Sequence, residues 1–289
     1  MKNMVGIRIL IPVDVDNYSL SVLKTAMALA SNFNTEIKLL YAYSHLVTQN
    51  KFNSTSSDIK KEVRSPEEAF SRLRLIQQKA LVLMQEAKHD RISIKYELKE
   101  GYTEDVILDV SNTYQPHLII LGSQCKDGTV KELLGCVSYD IIEQAHAPVL
   151  VLPNGMGIDF SGQNKVAYLS DFKSKDFHSI HQLFRLIMMY DTEVNVIKIV
   201  EGNPSNKDVA EIKDFGRYCK TTYRNQTLTC EFLVTSNVIE GITNYVEKNN
   251  IAVLAIKKRK DKGLIKLFRN SKSKKMLFHV EIPLLIFHE

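Results

Sequence analysis

The stretch His117-Leu118-Ile119-Ile120-Leu121-Gly122-Ser123-Gln124-Cys125 decides how the rest of the chain is read. Its first five residues form an apolar run with the length and branching of a buried strand. A glycine turn follows. Nine residues separate Cys125 from Gly135-Cys136-Val137-Ser138, where a helical pattern opens. A strand that passes through a glycine turn into a helix presents free backbone N–H groups, and a phosphate can sit there. Glycine matters because a side chain would keep the backbone away from the anion.

Outward from this point the chain alternates strand and helix. Upstream, Ile7 to Val13 is a near-continuous apolar run, as in strands buried on both faces of a parallel sheet. Leu20 to Phe33 has helical spacing, and Ile37 to Tyr43 is a second strand. Ser65-Pro66-Glu67-Glu68 is a helix start, with a serine cap, a first-turn proline and the glutamate of a capping box. The helix that follows is expected to bury Phe70, Leu73, Ala80, Leu83 and Ala87. Strands at Ile92 to Leu98 and Pro148 to Leu152, and helices at Thr103 to Tyr114 and within Gly135 to Ala145, complete a first unit.

The order then repeats. Strands are expected at Val166 to Leu169, Val194 to Val200, Leu228 to Val234, Ile251 to Ile256 and Ile282 to Phe287. Helices are expected at Phe177 to Tyr190, Lys207 to Thr221, Val238 to Lys248 and Ser271 to Phe278. Asp14 aligns with Asp171 and Pro148 with Pro283. The second copy is shorter, and the polar segment 44–65 accounts for most of the difference. The chain therefore divides into residues 1–153, a glycine-bearing linker over 154–163, and residues 164–289. Such alternation gives an α/β fold, a doubly wound parallel sheet in each half. Ligands on these sheets bind beyond the carboxyl ends of the strands. Asp14 and Gly122 both fall at such ends.

Composition narrows the function classes. A chain of 289 residues with 44% hydrophobic and 25% charged residues is an ordinary globular protein. No apolar run approaches the roughly 18–20 residues that span a bilayer. The amino terminus lacks a signal-peptide pattern, because Arg8 and Asp14 interrupt its apolar run. Four cysteines without a CxxC pair give neither a zinc nor a disulfide framework, so a reduced, cytoplasmic setting is expected. The net charge of +5 does not by itself indicate nucleic acid. Ten cations between Lys257 and Lys275 form either an anion-attracting patch or a solvated face. His178 and His181 share a helix face but lack the carboxylate pattern of a metal site.

Ile9-Leu10-Ile11-Pro12-Val13-Asp14, the loop at 118–138 and Ala147-Pro148-Val149-Leu150-Val151 together resemble the universal stress protein family, in a tandem two-domain form. The family loop is Gly-x2-Gly-x9-Gly-Ser/Thr. The resemblance implies two five-stranded domains of the adenine nucleotide α-hydrolase type. Their closing strands, 148–152 and 282–287, would meet in a pseudo-dimer. It also implies ATP with Mg²⁺ as ligand of the first domain, slow hydrolysis at most, further homo-oligomerisation, and a protein partner whose identity is open.

Carried over by position, the resemblance sets Pro12, Val13 and Asp14 at the adenosine end, with Ala42 flanking the adenine. Gly122, Gln124 and Cys125 line the triphosphate, and Gly135, Cys136, Val137 and Ser138 form the helix start that takes the phosphates. Cys125 replaces the second loop glycine, where a β-carbon at positive φ costs roughly 1 kcal/mol or more. Cys136 replaces the hydroxyl, and a thiol is a weak donor. The two cysteines bordering one anion cradle also form a candidate redox pair. Asp14 has a second reading as the cap of the next helix. In the second half Lys257-Lys258-Arg259 replaces the glycine turn and Asn270-Ser271 the helix start, so Asp171 is expected to cap a helix beginning near Lys173. A nucleotide-free scaffold with both loops decayed is the alternative function. An adenylating or sulfur-transfer enzyme would need Ser-Gly-Gly-x-Asp-Ser after the first strand, and residues 14–19 do not have it.

Overall fold

The computed structural model describes residues 6–13, 18–43, 65–87, 91–123, 136–153, 156–258 and 282–288. In the first half these form β1 (Ile7–Pro12), α1 (Tyr18–Ala30), β2 (Thr35–Tyr43), α2 (Pro66–Ala87), β3 (Ile92–Glu100), α3 (Thr103–Tyr114), β4 (Leu118–Ser123), α4 (Cys136–Gln144) and β5 (Val149–Pro153). In the second half they form β6 (Asn164–Leu169), α5 (Asp176–Ile187), β7 (Thr192–Val200), α6 (Asn206–Thr222), β8 (Thr227–Val234), α7 (Val238–Asn249), β9 (Val253–Lys257) and β10 (Leu284–Phe287). The helix expected at 271–278 lies outside the described residues.

The strands make one ten-stranded sheet in the order β3-β2-β1-β4-β5-β10-β9-β6-β7-β8. Each half is parallel with the order of a doubly wound fold, and β5 meets β10 antiparallel. Register makes the halves superimpose. Ile9 pairs with Ile37 and Leu118, and Val166 pairs with Val194 and Val253. Leu285 pairs with Leu150, its own counterpart, so a local two-fold axis passes between these residues.

Period-two alternation sorts the side chains into two layers. Ile7, Ile9 and Ile11 join α1, α2, α5 and α6 on one face, with Val22, Leu23, Leu73, Leu183 and Phe215 in the layer. Leu10 and Leu40 join α3, α4 and α7 on the other, with Ile107, Ile141 and Ile242. Both layers run through the two halves, which share their cores.

Local departures from the expected pattern have physical causes. On α2 the buried stripe is Ala69, Leu73, Ile76 and Ala80, while Phe70 is 56% exposed. Spacings of four, three and four set that stripe, and Phe70 sits about 100° to one side of it. The Ser65 hydroxyl does accept from the Glu68 N–H at 3.2 Å, and the Glu68 carboxylate takes Arg72 at 2.7 Å. The glycine-bearing connection between halves is packed rather than free. Ile158 and Phe160 are buried, the Ile158 N–H donates to Thr25 Oγ1 at 3.0 Å, and Phe160 meets the Tyr190 ring at 5.0 Å.

Candidate functional site

Three strands deliver the first-half site to one edge. β1 ends in Pro12, and the next residue, Val13, donates its N–H to the Leu40 carbonyl at 2.9 Å. That bond ties the end of β1 to β2 two residues before Ala42. The pairing of Leu10 with Ile119, carried three residues on, sets Gly122 level with Val13. The carboxyl ends of β1 and β4 thus lie side by side at the switch in strand order, where open α/β sheets hold their ligands.

Pro12, Val13 and Ala42 surround a pocket of about 90 Å³, closed by Leu40, Tyr41, Thr103 and Ile107. The Tyr41 side chain belongs to the other layer, where it bonds with Arg72, which also pairs with Glu68. Thr103 reaches the pocket because of the turn before it. Gly101 has φ +145°, and a β-carbon there would come within 2.8 Å of Val106 Cγ2. Only glycine lets β3 turn this sharply into α3. Tyr41, Thr103 and Ile107 were not expected at the site. The Gly101-Tyr102-Thr103 signal at the end of β3 was available for one of them.

The helix start at the other end of the loop is α4, whose first turn is Cys136-Val137-Ser138. Its first turn carries no acidic residue, which suits a helix start that faces an anion. Val137 is half-buried against the same layer as Ala42, and Ser138 is buried. Asp14, Gln124, Cys125, Gly135 and the Cys136 side chain lie outside the described residues, as does the proposed cysteine pairing.

The far end of α4 is held by the second half. The Lys258 ammonium donates to the Ile142 and Glu143 carbonyls and pairs with the Glu143 carboxylate at 3.1 Å. His288 Nε2 donates to the Ile142 carbonyl at 2.9 Å. Burial, followed by the nearby Lys258 and His146 charges, holds His288 below the usual histidine range despite its hydrogen bonds.

Register places Ser170, Ile199 and Lys257 where the first half has Val13, Ala42 and Gly122. Lys257 is only 4% exposed and donates to the Lys175 carbonyl at the start of α5. The fully buried Asp176 accepts from the Ser170 hydroxyl at 2.7 Å and from the Asp171 N–H at 3.1 Å. Thus the carboxylate that organises this turn is Asp176, and α5 begins there rather than near Lys173. Its cap residue, Lys175, makes no side-chain cap bond. Phe172, at φ +56°, adds a second departure: a buried aromatic in the left-handed region, held by the Phe215 ring at 5.3 Å. The two cations of the basic cluster that are described, Lys257 and Lys258, are internal contacts rather than a solvated face. His181 Nδ1 is hydrogen-bonded to Tyr223 Oη at 3.2 Å, and no cluster of metal-ligating side chains occurs among the described residues. No helix among them is long and apolar enough to cross a membrane.

Comparison with known proteins agrees with this architecture. Residues 7–153 match the model of the universal stress protein family. A universal stress protein of Methanocaldococcus jannaschii is 27% identical over 150 residues, which is 50% of this chain and 81% of that relative. Among solved structures, a universal stress protein from Archaeoglobus fulgidus superimposes with a TM-score of 0.67 at 14% identity, covering 98% of this chain and 96% of its own. One described as a putative universal stress protein from Pseudomonas aeruginosa gives 0.61 at 17% identity, covering 99% and 94%. At these identities the structural likeness is one of fold.

Proposed function

We propose, because the chain belongs to the universal stress protein family as a tandem member, that its first half is an adenine-nucleotide module that responds to ATP and Mg²⁺. The observation that carries this reading is the convergence of Pro12, Val13 and Ala42 on one pocket at the β1/β4 switch, with Gly122 on the same edge. Adenosine occupies the strand ends, and the phosphates run toward the uncharged first turn of α4. Asp14, next in sequence after Val13, is the residue that the family resemblance sets at the adenosine end. The second half does not bind nucleotide, since Lys257 and Asp176 fill the equivalent place with the protein's own charges.

Turnover is not the role. A signalling module needs a bound and a free state that differ in their contacts. Here α4 supplies the link, with the phosphate end in one half and its other end gripped by Lys258 and His288 of the other.

Calorimetric titration with ATP and Mg²⁺ tests the reading. One site per chain with micromolar affinity is expected, lost in Asp14→Ala and strengthened in Cys125→Gly. Silence at millimolar ATP in both the native protein and Cys125→Gly leaves the nucleotide-free scaffold as the function.

A further inference from the structure

The sheet has a second hollow at its opposite edge. A cavity of about 320 Å³ lies where the amino ends of β1, β4 and β5 meet α5 of the second half. That volume is at the small end of the range for ligand sites. Its wall includes Ser111, His117 and His146 from the first half, and Gln182 and Arg185 from the second.

The polar groups there are incompletely used. Arg185 is exposed on α5 and forms no ion pair among the described residues. His117 Nδ1 accepts the Arg8 N–H at 3.1 Å, which places the ring proton on Nε2 and leaves a donor available. Burial, then the Arg185 and Arg8 charges, hold this imidazole below the usual histidine range, so two cations act on the same ring. Gln182 Oε1 is buried without a hydrogen-bond partner among the described residues. An unpaired buried acceptor is costly, commonly about 1–3 kcal/mol, and is rare unless something external satisfies it.

We propose that this cavity is a second binding site, for a small anionic metabolite that also carries a hydrogen-bond donor. The acidic group pairs with the Arg185 guanidinium and the His117 Nε2–H. A small rotation of the Gln182 carboxamide brings its buried Oε1 to the cavity, where an N–H or O–H of the same molecule donates to it. Hydroxy acids, amino acids and small phosphate esters share this chemistry. Because its wall comes from both halves, the ligand bridges them. The proposal stands independently of the nucleotide reading, since the two sites occupy opposite edges of the sheet.

Thermal unfolding of the full chain with malate, glutamate or glycerol 3-phosphate, each at 10 mM, tests it. At tenfold excess over Kd, at least one of the three raises Tm by about 2 °C or more, and which one does identifies the acid class. Arg185→Gln and Gln182→Leu each abolish the shift. Gln182→Leu without ligand is as stable as the native chain or more so, because it removes the orphaned acceptor, so loss of response is separable from misfolding. Asp14→Ala keeps the response. No shift with any of the three, or a shift that survives both variants, overturns the proposal.

Discussion

Tyr190 shows how much one hydroxyl can tie together. Tyr190 Oη donates toward the Ala28 and Leu29 carbonyls, at 2.9 and 2.6 Å, and its ring packs on Phe33 and Phe160. It thereby satisfies the frayed end of α1 in the other half. Tyr190→Phe keeps the ring and takes the hydroxyl donor from the Leu29 carbonyl, while the Ala28 carbonyl keeps the Ser31 hydroxyl at 2.9 Å, and is expected to cost about 1 kcal/mol in urea denaturation. Two histidines contribute to the pH response near neutrality. His117 and His288 both have pKa values lowered by burial. The unfolded chain therefore binds more protons than the folded one between the depressed values and the ordinary value near 6.5. Their contribution to stability is full above about pH 7 and is lost as the pH drops through that window. A double His117→Asn, His288→Gln variant flattens the dependence of ΔG on pH in denaturation series between pH 5 and 7.5; an unchanged slope contradicts the assignment. Residue-scale features were the hardest to read from sequence. Nothing in Asp171-Phe172 announces a left-handed phenylalanine, because the ring cluster that holds it comes from α6 and β8. Asp176 displaced Asp171 for the same reason: burial depends on neighbours distant in the chain.

At the scale of elements, the strands were legible because β-branched runs bounded by turns have few other readings. Helix faces were legible only to within a residue, and α2 shows why. Its sequence offers apolar side chains on more than one side, with Leu75, Leu81 and Val82 about half exposed. Periodicity alone does not choose between adjacent phases. The candidate pocket was legible where its lining rests on strand ends, as at Pro12, Val13 and Ala42, and not where α3 closes over them. The β3–α3 turn gives the matching test. Gly101→Ala meets both a positive φ and the 2.8 Å contact with Val106. It is expected to destabilise by about 1–2 kcal/mol and, by shifting Thr103, to weaken the proposed ATP binding several-fold. Calorimetry on the same variant reads both effects. Unchanged affinity would detach α3 from the site.

For the whole molecule, the shared cores and the β5–β10 pair make two halves one folding unit. Leu285→Pro deletes a ladder N–H beside the local two-fold axis and blocks the strand pairing there. Differential scanning calorimetry of the native chain is expected to give one cooperative transition, and the variant two, at lower temperature. A single transition kept in the variant would assign the coupling to the helix layers instead. The pairing also removes β5 and β10 as free edges. Among the described strands the remaining edges are β3 and β8. β3 is guarded by the Lys95–Glu36 and Lys38–Glu97 pairs at 2.6 Å, which discourage strand addition. A second copy of the chain would therefore have to use a surface other than the β5 and β10 edges.

The meeting of Leu150 with Leu285 has one more consequence. Two separate chains joined through such strands come apart on dilution, and both must keep every feature their common gene specifies. Covalent linkage holds the partners at a fixed local concentration whatever the abundance of the protein. It also frees each copy to change alone. One half carries a glycine where the other carries a lysine at the same register, an asymmetry closed to a pair of identical subunits.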